Sequence, residues 1–95
     1  MLVAATATAP MPAPAAPPPA LAGLANRCIA GDTGACQAAL GPTHTLKQRA
    51  EQQNKLSCYT QILGLESHLI MQSIDGNNGP ATAAALQETS RSCGW

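Results

Sequence analysis

The sequence has 95 residues, with five basic and five acidic side chains and a formal net charge of zero. That length allows one domain, and so balanced a charge offers no basic surface for a phosphate backbone, so no nucleic-acid partner is expected. The chain has no Phe, one Tyr and one Trp. Its apolar content is largely alanine, which buries little area, and burial alone is a weak source of stability at this size.

In chain order, Met1 to Asn26 carries no charged residue, and six of the eight prolines fall between Pro10 and Pro19, interleaved with alanine. Proline fixes its backbone angle and lacks an N–H donor, so residues 1–20 are expected to form a disordered Pro/Ala-rich arm or linker. The folded part is expected over 21–95. Leu2-Val3-Ala4-Ala5 opens a short apolar run, but no Lys or Arg precedes it and Pro10 follows the small residues Ala7-Thr8-Ala9. That is a poor signal peptide. The expectation is a shortened chain, a misassigned start, or an export signal upstream of Met1. No run reaches the roughly 18 apolar residues of a membrane span.

Leu21–Ile29 and Ala35–Leu40 read as two short helices around the turn-forming cluster Gly31-Asp32-Thr33-Gly34. Gly41-Pro42 reads as a break. A long helix is then expected from Thr43 or Thr45, either of which can cap it. Leu46, Ala50, Gln53, Leu56, Thr60 and Leu63 follow three- and four-residue steps, strongest at Leu56, Tyr59 and Leu63. Lys47, Gln48, Glu51, Gln52 and Lys55 would form its solvated face. Gly64 would end or weaken the helix, and Leu65–Ile74 is a less regular apolar stretch. After the turn Asp75–Gly79 a last helix opens at Pro80 and runs through Thr89.

The four cysteines, Cys28, Cys36, Cys58 and Cys93, are even in number in a short chain with a thin core, which indicates a disulfide framework in an oxidising compartment. A zinc site is the rival, but it favours CxxC pairs and none occurs, and His44 and His68 are isolated. Of three possible connectivities, Cys28–Cys36 and Cys58–Cys93 are favoured. The first pair brackets the Gly31–Gly34 turn, where a helical hairpin could bring its members face to face. Its C-x7-C segment around a Gly-Asp turn resembles the inter-helix turn of cysteine-containing, tetratricopeptide-like bacterial repeats, over one turn and its flanks. The second pair would close a loop of about 35 residues, worth roughly 3–4 kcal/mol in the chain-entropy model.

The most specific segment is Ile74-Asp75-Gly76-Asn77-Asn78-Gly79-Pro80-Ala81-Thr82-Ala83-Ala84-Ala85-Leu86. It resembles the signature of the peptidoglycan-binding-domain-like family: an apolar residue, D-G-x-x-G-P-x-T-x-x-A, then an aliphatic residue. In that family a helix bearing a Gln lies upstream, and Gln61, fourteen positions before Asp75, fits. The likeness covers about Leu56 to Gln87. Glu66-Ser67-His68-Leu69 stands where the family has a Leu-Gly-Tyr-like turn, and Thr89-Ser90 where it has Phe-Gln. The lost aromatic removes a core anchor, for which a Cys58–Cys93 link would compensate. The resemblance implies an all-α, disulfide-stapled domain, a short helical hairpin followed by a three-helix unit over 56–95.

It also implies non-covalent binding of peptidoglycan, with Asp75, Asn77 and Asn78 as ligand contacts and Trp95 available to stack on a sugar. Each has a purely structural alternative: Asp75 can bond back to turn amides, turn asparagines are common without ligands, and a terminal Trp can pack on its own domain. No catalytic residue, metal ligand or cofactor is expected. Asp75, Asn77 and Gly79 faintly resemble a calcium loop, but Leu86 stands where a bidentate Glu is needed. Gly76–Pro80 lacks the Lys-Ser/Thr end of a phosphate loop, and no nucleophile has a base and an orienting acid. Two functions remain open for a periplasmic or secreted protein. One is an envelope module that binds peptidoglycan and positions a larger assembly. The other is a small docking subunit of an extracytoplasmic complex that has lost wall binding.

Overall fold

The computed structural model describes residues 17–95, so residues 1–16 of the arm expected over 1–20 lie outside the described residues. The described residues form four helices: α1 (Pro19–Ile29), α2 (Thr33–Gln52), α3 (Leu56–Asp75) and α4 (Gly79–Cys93). The fold is all-α, and no helix among them is long and apolar enough to cross a membrane.

Helix α1 starts at Pro19, two residues inside the expected arm, because a proline in the first helical position loses no hydrogen bond. It buries Leu21, Ala25 and Cys28, one face at four- and three-residue spacing. Asp32 caps α2 by accepting the Ala35 N–H at 3.1 Å. The capped turn faces Cys28 towards Cys36, and the two are disulfide-bonded.

The expected break at Gly41-Pro42 does not occur, since α2 runs through both residues. Proline removes the one backbone donor that would reach Ala38 O, yet the helix continues past it; Thr43 Oγ1 and Thr45 Oγ1 donate to other carbonyls, Ala39 O at 2.7 Å and Gly41 O at 3.3 Å. The chain breaks instead at Gln53-Asn54-Lys55, where Asn54 adopts a φ of 56°. Asparagine tolerates that left-handed conformation better than most residues. The helix expected from Thr43 or Thr45 to Leu63 is therefore the second half of α2 and the first half of α3. Lys47, expected on a solvated face, pairs with Glu66 of α3 at 2.9 Å, both side chains being largely covered. That hydrogen bond holds the Lys47 ammonium pKa above its usual value.

Helix α3 passes through Gly64, and Cys58, Ile62, Leu65, Leu69 and Gln72 form its buried face. Leu56 and Leu63, two of the strongest positions of the expected stripe, are exposed. Residues 56–95 thus contain two helices, α3 and α4, where the resemblance implies three. The core falls into two clusters. Leu21, Ala25, Cys28, Ala35, Cys36, Ala39, Leu65 and Leu69 form one; Ala50, Cys58 and Ile62 form the other, with Leu46, Tyr59, Cys93 and Trp95 packed on it. Trp95 touches both clusters, so its ring packs on its own domain.

Each cluster contains a staple: Cys28–Cys36 joins α1 to α2, and Cys58–Cys93 joins α3 to α4. The second closes 35 residues against 8 for the first, so it constrains the unfolded chain more. Replacing both Cys58 and Cys93 by Ser should cost about 3–4 kcal/mol, and replacing Cys28 and Cys36 about 2–3 kcal/mol, in urea unfolding of the otherwise oxidised chain.

Candidate functional site: the Asp75–Pro80 turn and the outer face of α3

The turn begins where Gly76 ends α3 in the left-handed conformation, with a φ of 71°. A glycine there carries no side-chain penalty. Asp75 Oδ1 accepts the Asn77 N–H at 2.8 Å, a local turn bond that occupies one carboxylate oxygen. Asp75 and Asn77 are both exposed at the tip.

Asn78 is directed the other way. Its side-chain amide lies 3.0 Å from His68 Nδ1, and within 3.5 Å of His68 O and Thr82 Oγ1. Thr82 Oγ1 is bonded to Asn78 O at 2.8 Å and to His68 O at 3.3 Å. The three expected ligand residues therefore do not converge: Asp75 and Asn77 face solvent, while Asn78 ties α4 to α3. Gln61 contributes its backbone carbonyl, which accepts the Thr89 hydroxyl at 3.1 Å. That contact links α4 to α3.

The residue that fastens the turn to the rest of the molecule is Gln72, which the sequence reading does not single out. It is almost wholly buried. Its Nε2 donates to Cys28 O at the end of α1 at 3.0 Å, and its Oε1 accepts the Asn78 N–H. The signal was a glutamine continuing the apolar face Leu65–Leu69, three residues before Asp75. Gly79 completes the junction, because a Cβ there would stand 2.8 Å from Ile29 O. One turn thus closes α1, α3 and α4 together.

A shallow groove of about 360 Å³ runs between α3 and α4 beside the turn, lined by Gln61, Gly64, His68, Ala81 and Glu88 among others. Asp75 and Asn77 do not line it. A second groove of about 250 Å³ lies over Cys58–Cys93, with Arg49, Lys55 and Trp95 on its walls. Neither groove places a nucleophile beside a base, and no cluster of metal-ligating side chains occurs among the described residues. On the outer side of α3, Leu56, Leu63, Ile70, Met71 and Ile74 are exposed at 68, 41, 46, 44 and 77%.

Gln72→Leu should destabilise the fold by about 2–4 kcal/mol in urea titration, since it leaves the Cys28 carbonyl and the Asn78 N–H buried without that partner. The glycines separate by environment. Gly79→Ala should cost about 1–3 kcal/mol because Ile29 O is in the way, whereas Gly64→Ala, with open space around it, should gain up to about 1 kcal/mol.

Compared with family models, with curated proteins and with solved structures, the chain matches none.

Proposed function

We propose that this chain is a non-catalytic docking module of an extracytoplasmic protein assembly, built on the scaffold of a wall-binding-type turn but not dependent on wall binding. The observation that carries this reading is the inward use of the turn. Asn78 is committed to His68 and Thr82, one Asp75 oxygen to the Asn77 N–H, and Gln72 to the end of α1. What the module offers outward is an apolar helix face instead of a convergent set of donors and acceptors. Two disulfides, with no free cysteine among the described residues, support a periplasmic or secreted location, because such links persist in oxidising compartments.

The second reading, peptidoglycan binding, has its own support in the exposed carboxylate of Asp75, at a fixed position of the family signature, and the exposed amide of Asn77, at a variable position within it. Sedimentation with purified peptidoglycan sacculi separates the two. The oxidised protein should remain in the supernatant. Retention that Asp75→Ala or Asn77→Ala abolishes would overturn the docking reading in favour of wall binding.

A further inference from the structure

We propose that the outer face of α3 is a self-association surface, on which a second copy of this chain lays its own α3 antiparallel. The inference rests on the docking reading above and names the partner. Buried and exposed apolar residues of α3 lie on opposite sides of one helix. At 100° per residue, Cys58, Ile62, Leu65, Leu69 and Gln72 centre on one line, and Leu56, Leu63, Ile70 and Ile74 lie about 120–160° round from it, centred near 145°.

The outer face is also uncharged. Between Lys55 and Asp75 the only ionisable acid or base groups of the helix are Glu66 and His68, with Tyr59 packed at the core. Glu66 is turned to Lys47, and His68 to Asn78. Around the exposed residues stand the small, uncharged Thr60 and Ser67.

The spacing is self-complementary. Leu56, Thr60, Leu63, Ser67, Ile70 and Ile74 step by four and three alternately, and the series is symmetric about its midpoint. A two-fold antiparallel pairing sets Leu56 opposite Ile74, Thr60 opposite Ile70 and Leu63 opposite Ser67, each time in both directions. A large residue meets a small one in the central layers, so the helices can close. The Lys55 end of one helix comes level with the Asp75 end of the other, opposite in sign.

The area is sufficient. Five exposed side chains at these fractions leave on the order of 500 Å² of apolar surface per chain, at the upper range for a monomer. Leu56, Leu63, Ile70 and Ile74 supply roughly 450 Å² of it, so a symmetric pair would bury up to about 900 Å² from them, and the exposed Thr60 and Ser67 between them bring the total to the roughly 1,000 Å² at which a specific interface begins. A two-fold contact closes on itself and leaves no apolar stripe open to further copies.

Sedimentation equilibrium on the oxidised full chain tests this, with charges placed to read the register. The wild type should shift from one chain to two across the micromolar range. Thr60→Lys and Ile70→Glu, both at exposed positions, should each sediment as a single chain at all those concentrations, with unchanged helical circular dichroism and no free thiol. Mixed in equal amounts they should recover the two-chain mass, because residue 60 of one meets residue 70 of the other. Leu63→Glu gives a further single-chain variant should either of those lose helicity. A wild type that stays monomeric, a charged variant that dimerises like the wild type, or a mixture that fails to associate would each overturn the proposal. Those outcomes leave the docking reading standing, whereas sacculus retention of a protein that still dimerises would sink that reading alone.

Discussion

Four helices here must be held around a core built largely of alanine, threonine and half-cystine. Among the described residues, only Leu21, Ile62, Leu65 and Leu69 are large aliphatic side chains buried to completion. At about 1.5–3 kcal/mol for each such side chain, their burial is small beside the entropy of ordering the chain. The two disulfides answer that constraint from the unfolded side, and they do so from inside the core. Each links neighbouring helices and each packs among apolar groups, so the sulfurs also act as core side chains. Small core residues let the helices approach closely, which fits the buried face of α2: Ala35, Cys36, Ala39, Thr43 and Ala50.

The hydroxyls belong to the same economy of size. Thr43, Thr82 and Thr89 are fully buried, yet each returns its hydroxyl to a backbone carbonyl four residues earlier in its chain. A threonine so bonded occupies nearly the volume of valine without leaving a polar atom bare. Thr82 and Thr89 also reach across to carbonyls of α3, at His68 and Gln61. The α3–α4 contact thus combines one disulfide with the longer, shared branches of two threonine hydroxyl bonds.

What the sequence discloses of this arrangement follows from how local each feature is. The Cys28–Cys36 link is legible because a capped turn of known chemistry lies between its members. The turn after Asp75 is legible because Gly76 answers the left-handed backbone at the end of α3 and Pro80 suits the first turn of α4. Pro42 misleads because the cost of one lost donor can be outweighed by the tertiary packing of the helix that contains it, and that is not a local property. The stripe through Leu56 and Leu63 misleads for a different reason. Two apolar faces of the same period run along α3, and periodicity alone does not say which one turns inward. Gln72 is missed because a single polar residue on an apolar face is usually a departure from the pattern, whereas here it is the joint. Asn78 is singled out as a ligand residue, but its amide faces the protein because His68 lies one helix away.

The two-faced character of α3 raises a question of rotational register. Turning the helix about its axis by some 140–150° would exchange Ile62, Leu65 and Leu69 for Leu56, Leu63, Ile70 and Ile74, and hydrophobic burial would not strongly oppose the exchange. Directional links oppose it at both ends. Near the start of the helix, Cys58 is bonded to Cys93. Near its end, the amide of Gln72 spans Cys28 O and the Asn78 N–H. A rotated α3 would break the first and leave the partners of the second buried without them, a penalty that non-directional burial cannot replace. Midway, Glu66 is held to Lys47 on α2. The bonds that compensate for a small core therefore also decide which apolar face of α3 is used inside the molecule and which is left exposed.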